Sequence, residues 1–217
     1  MSLKIGITGL AGAGKDTAGE LLQRILKETT GVHFCLGKYA TPLKSIAEDV
    51  FGDTFDDREV KDVPVFITPD LADKLIDACD LFGQSLSYED YDKFMGILDS
   101  TLFNKTWLSP RDVQVQVGSA GRSINPNIWV EYLKRNHTPM IVTDVRYPNE
   151  LLDYNILISK GKSSLDSLTV HHSELMCTEF AVGLQDPLQS GINAIVLNTQ
   201  TIQDLETKLR FTATTIR

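Results

Sequence analysis

The residues with the clearest chemical meaning stand near the start of the chain. Gly9-Leu10-Ala11-Gly12-Ala13-Gly14-Lys15-Asp16-Thr17 has the G-x-x-x-x-G-K core of a phosphate-binding loop. Gly9, Gly12 and Gly14 let the backbone wrap closely around a polyphosphate. Exposed N–H groups and the start of the following helix then supply positive potential. Lys15 would reach the terminal phosphates. The plainer alternative is a glycine-rich turn between a strand and a helix with a surface lysine. One position departs from the usual pattern, because Asp16 stands where Ser or Thr normally follows the lysine, and Thr17 comes one later. A carboxylate beside phosphates is repulsive unless a cation lies between them, which points to Mg2+ held by Asp16 and Thr17. The alternative is that Asp16 only favours the positive end of a helix.

Two further stretches carry candidate chemistry. Asp144-Val145-Arg146-Tyr147-Pro148-Asn149-Glu150 follows an apolar run. At the carboxyl end of a strand, Asp144 could position a metal or water, and Arg146 could neutralise charge on a moving phosphoryl group. A strand-end salt bridge is the bland reading. The stretch from Ser109 to Glu131 holds Arg111, Arg122, Trp129 and Glu131. A guanidinium fork binds phosphate in bidentate fashion, and a tryptophan offers a face to a base. Arg135 is read as solvated and Trp107 as core.

Other motifs are discounted. His171-His172-Ser173-Glu174 has no further histidine or cysteine at ligand spacing, and reads as a surface turn. Asp49-Val-Phe-Gly52 and Asp80-Leu-Phe-Gly83 match a GTPase switch, but both close helical patterns. Asn104-Lys105-Thr106-Trp107 lacks the final acid of a base-reading motif.

The elements that must position these residues are legible in the hydrophobic pattern. Residues 3–8, 32–36, 140–145, 155–159 and 193–197 read as strands. Ala18, Leu21, Leu22, Ile25 and Leu26 share one helical face, and 42–51, 70–82, 88–102 and 201–211 are also predicted helical. Asn125-Pro126 opens another helix. Ser109-Pro110-Arg111-Asp112 looks like a capped helix start, whereas the alternation in VQVQV (113–117) is a strand signal; the cap decides for helix. Strands alternating with helices imply an α/β fold with a mainly parallel sheet flanked by helices.

The 217 residues are enough for one domain, or one domain with an insertion. Net charge is −8, and residues 62–104 set Lys74 and Lys93 against nine acids. That concentration argues against a general nucleic-acid surface and reads as an acidic helical insertion over 62–105 within a 1–217 domain. No apolar run is long enough to cross a bilayer, and no signal peptide is read at the start. Cys35, Cys79 and Cys177 lie far apart, which points to a reducing compartment and away from a disulfide scaffold or structural zinc.

Taken together, GLAGAGKDT, SPRDVQVQVGSAGRSINPNIWV, TDVRYPNE and HHSE with a terminal NAIVLNTQTIQDLETKL resemble the bacteriophage deoxynucleoside monophosphate kinases. The likeness runs in blocks over most of the chain except roughly 62–104. It implies a P-loop kinase fold, with ATP and Mg2+ as cofactors and a cytoplasmic location in a host cell. The implied reaction is phosphorylation of deoxynucleoside monophosphates to diphosphates, with nucleotides as partners and neither nucleic acid nor membrane. By position, Lys15, Asp16 and Thr17 would serve the ATP site. Arg111, Trp129 and Glu131 would hold the acceptor, and Arg122 falls in the same block. Asp144, Arg146 and Glu150 would sit at the reaction centre, and Asn198 near adenine. The insertion would act as a lid or acceptor-binding subdomain. A homodimer stays open, as do the accepted bases. The alternatives are a kinase of another small phosphorylated metabolite, such as phosphomevalonate or dephospho-coenzyme A, and a non-catalytic nucleotide-binding switch.

Overall fold

The structure is a computed structural model and describes residues 2–53, 55, 57, 59–135, 138–160 and 186–216. The paired histidines at 171–172, with Ser173 and Glu174, lie outside the described residues, as does Cys177. In chain order the elements are β1 (Lys4–Thr8), α1 (Lys15–Thr30), β2 (Cys35–Gly37), α2 (Thr41–Phe51), β3 (Val65–Phe66), α3 (Pro69–Gly83), α4 (Tyr88–Leu98), β4 (Trp107–Leu108), α5 (Pro110–Ile124), α6 (Ile128–Lys134), β5 (Met140–Val145), β6 (Tyr154–Ser159), β7 (Ala194–Leu197) and α7 (Ile202–Ala213). The chain divides into two compact units, Met1–Tyr39 with Leu133–Arg217, and Ala40–Tyr132.

The first unit holds a five-stranded sheet in the order β2-β5-β1-β6-β7, and every pair is parallel. Strands of such a sheet are covered on both faces, which is why β5 and β6 are nearly continuous apolar runs. The core gathers Ile5 and Ile7 of β1, Ile141, Ile156, Ile158 and Val196 of the flanking strands, and Leu22, Ile25 and Leu26 of α1. Helix α1 ends at Gly31, whose positive φ lets its N–H reach the Lys27 carbonyl. β2 is shorter than expected and shifted to Cys35–Gly37, yet Phe34 just before it is buried in the same core.

One irregularity bears on function. Gly6 faces Val142 and Thr8 faces Val145, so β5 fits one more residue than β1 across this span. The extra residue makes a bulge at Thr143-Asp144, a device that re-aims side chains at a strand end.

The second unit contains α2 to α5, the start of α6 and the two-stranded antiparallel ribbon β3–β4. Segment 109–124 is a helix despite its alternation. Val113 and Val117, four residues apart, are fully buried on one face, and Val115 is exposed. Ser109 and Asp112 form a reciprocal capping box, with Pro110 at the first helical position. The unit's core includes Leu75, Phe82, Phe94, Leu98 and Trp129. Asp49 and Asp80 lie at the ends of α2 and α3, not after strands. The expectation that Trp107 is core fails: it is 59% exposed, with its ring edge-to-face against the equally open Phe66. In a two-stranded ribbon the opposed pair Phe66–Trp107 needs only one covered face, which Leu108 supplies on the other side of the pleat.

Candidate functional site

In a parallel sheet the ligand crevice lies outside the carboxyl ends of the strands, where the strand order reverses. Here that place is the end of β1, flanked by β5 and β6. The buried hydroxyl of Thr8 donates to the Val145 carbonyl (2.8 Å) and fixes the point where the loop leaves the sheet. The loop then has no room for side chains at two glycines. A Cβ on Gly9 would lie 2.4 Å from the Ile158 carbonyl oxygen, and one on Gly14 would lie 2.5 Å from Asn198 Nδ2. Asn198, just after β7, donates to the Ala13 carbonyl (2.9 Å) and thereby braces the loop from the far side.

Helix α1 begins at Gly14 in a left-handed conformation, without any side-chain cap. Its first turn therefore presents backbone donors in the way an anion site requires. The Lys15 ammonium donates to the carbonyls of Gly9 (2.7 Å) and Leu10 (3.0 Å), folded over the loop. Asp16 and Thr17 are exposed in the first turn, and Gly12 sits at the loop's crest with open space around it.

Asp16 is tied to two neighbouring strand ends. Thr143 of the bulge donates to its Oδ1 (2.6 Å), and the Lys38 ammonium, just past β2, lies 2.9 Å from the same oxygen. Partial burial works against its ionisation, but the bonds from Thr143 and Lys38 and the charges of Lys38 and Lys15 outweigh it. The carboxyl is held below its ordinary value. An ionised, accessible carboxylate, followed in the same helical turn by the exposed Thr17, offers hard oxygen donors. It fits Mg2+, which takes one or two carboxylates and fills its remaining positions with phosphate and water.

Asp144 accepts from the Tyr39 N–H (2.7 Å), and the Tyr39 hydroxyl donates to the Glu150 carbonyl (2.7 Å). Burial, reinforced by the charges of Glu150 and Asp144, pushes this phenol up, so it remains a donor. Glu150 itself is buried, and its carboxylate accepts the N–H groups of Arg146 (2.7 Å) and Tyr147 (3.2 Å). It thus shapes the turn that carries the exposed Arg146.

In the second unit the candidate residues do not converge on one point. Arg111 pairs through Nε with Asp62 and its N–H donates to the Lys61 carbonyl (3.0 Å). Arg122 lies eleven positions along α5, roughly 16 Å away along the axis at 1.5 Å per residue. It donates to the Gly118 carbonyl (3.0 Å), which Trp129 Nε1 also reaches (3.2 Å). Trp129 is 2% exposed and packs on Phe82 with ring centroids 5.0 Å apart, so its faces are turned to protein. Gly121 makes room for it, since a Cβ there would come within 2.6 Å of the indole. Glu131 is exposed and accepts from Asn125 Nδ2 (3.1 Å).

Pattern reading missed Lys38, Tyr39 and Thr143. Lys38 and Tyr39 follow a strand directly, and the rule that ligands gather at strand carboxyl ends is the signal that could have found them.

The sheet order and the glycine loop after its central strand are consistent with a P-loop kinase fold. No protein-family model matches the chain. Among known proteins it is similar to the deoxynucleoside-5'-monophosphate kinase of Escherichia phage T5, 25% identical over 223 residues that cover 89% of this chain and 86% of the relative. This distant relationship over most of both lengths supports a kinase-type phosphotransferase. Among the described residues no helix is long and apolar enough to cross a membrane.

Proposed function

We propose that the protein transfers the γ-phosphoryl group of ATP to deoxynucleoside monophosphates, giving ADP and a deoxynucleoside diphosphate. The observation that carries this reading is the uncapped start of α1 at Gly14, with Lys15 and Asp16 beside the strand end that bears Asp144 and Arg146. The similarity to the phage T5 enzyme supports the choice of acceptor.

In this reading the loop from Gly9 to Gly14 cradles the ATP phosphates with backbone donors. Lys15 leaves the Gly9 and Leu10 carbonyls for the phosphate oxygens. Asp16 and Thr17 would hold Mg2+, which would supply charge to screen the phosphates. An oxygen of the acceptor phosphate attacks the γ-phosphorus, the bond to the bridging oxygen breaks, and ADP leaves. Arg146 stabilises charge on the moving group, and Asp144 and Glu150 keep its turn in place. Arg111 binds the acceptor phosphate, Glu131 contacts the nucleoside, and Arg122 and Trp129, which share the Gly118 carbonyl, support the wall that holds it. A coupled assay of ADP formation across dAMP, dCMP, dGMP and dTMP tests the proposal. Turnover with at least one of them is expected. Turnover confined to phosphomevalonate or dephospho-coenzyme A, or ATP binding without turnover, overturns it.

A further inference from the structure

Lys38 has no part in the roles just assigned, yet its place is fixed by the sheet. Gly37 pairs with Val142, so the residues that follow them, Lys38 and Thr143, emerge at adjacent strand ends. Both donate to the same oxygen of Asp16, Lys38 at 2.9 Å and Thr143 at 2.6 Å. The pair does little for stability. The Lys38 and Asp16 side chains are 36% and 66% exposed, and ion pairs this open contribute about 0–1 kcal/mol. What the ammonium does is put a single positive charge on the carboxylate that faces the phosphate loop. A divalent cation on that oxygen and an ammonium 2.9 Å from it would repel each other strongly.

We propose that Lys38 is a place-holder for the cation. In the nucleotide-free protein its ammonium occupies the position on Asp16 that a divalent cation takes when nucleotide arrives. Metal is then taken up with nucleotide and not before it, because only the phosphates offer Lys38 other negative oxygens. The inference rests on the reading of Asp16 as a metal-binding residue, and its test needs no turnover, so its failure is separable from failure of the kinase assay.

The test is Mn2+ binding to the nucleotide-free protein, followed by the electron paramagnetic resonance signal of free Mn2+. An ammonium held about 4 Å from a divalent ion weakens that ion's binding by about tenfold or more, even at the dielectric of water. Lys38→Met and Lys38→Gln are therefore expected to bind Mn2+ about tenfold more tightly than the natural chain. Lys38→Arg keeps the charge and is expected to stay as weak as the natural chain. Adding Asp16→Asn to Lys38→Met removes the gain. With ADP present, the affinities of the natural chain and Lys38→Met converge. Equal Mn2+ affinity without nucleotide in the natural chain and both neutral variants overturns the proposal, as does a gain that persists after Asp16→Asn or appears in Lys38→Arg.

Discussion

Helices α1 and α5 begin in opposite ways. Helix α1 starts on Gly14, which has no side chain to accept from the first turn. In α5 the first turn is closed: Pro110 has no N–H, Arg111 donates to the Lys61 carbonyl, Asp112 to Ser109 Oγ and Val113 to the Ser109 carbonyl. A helix start can hold an anion only if its donors are left for the anion, and a helix start that stabilises a fold satisfies them internally. The first helix is therefore fitted for phosphate through its backbone. The second can reach a phosphate only through side chains such as Arg111.

The largest expected effect is at Lys15. Lys15→Ala should leave the fold intact by circular dichroism and lower kcat/KM by about 10²–10³-fold, the usual loss when one donor to developing charge is removed. Near-normal turnover in a folded variant would take the loop out of the mechanism. Next is Arg111→Ala, which should raise the KM for the monophosphate by about one to two orders of magnitude and leave that for ATP near its original value. A rise confined to ATP would place this side chain at the donor site instead. Ser109→Ala should sharpen the contrast between the helices by lowering stability to urea by about 1 kcal/mol without changing the KM for ATP. Loss of ATP affinity in that variant would mean that α5 binds the donor through its start.

How much of this was legible follows from the range of the forces involved. The glycine loop, α1 and the apolar strands are written in neighbouring residues, and so is the α5 cap, which outweighs the alternation of VQVQV because Val113 and Val117 bury together. The two tryptophans were not legible. Trp129 is buried because Phe82, distant in sequence, stacks on it and Gly121 leaves space. Trp107 is open because its strand has one partner, β3. The surroundings of Asp16 depend on a bulge in β5 and on Thr143, 127 residues away, which no local pattern encodes.

The smallest effects concern residues outside the chemistry. Acrylamide should quench Trp107 readily and Trp129 poorly, so Trp107→Phe should leave a blue-shifted, protected emission. Quenchable emission in that variant would show that the packing around Trp129 is open. Burial pushes the Cys79 thiol up to about 12. Iodoacetamide at pH 8 should label it far more slowly in the native protein than in urea, as read by peptide mass spectrometry.

The most direct measurement is the fate of a labelled phosphoryl group. The protein is incubated with γ-³²P-ATP, Mg2+ and each deoxynucleoside monophosphate in turn, and the products are separated by chromatography. Label is expected in the β-phosphate of a deoxynucleoside diphosphate, formed in step with ADP and about 10²–10³-fold more slowly with Lys15→Ala. Label that stays on ATP, or appears only as inorganic phosphate with every acceptor, would contradict it.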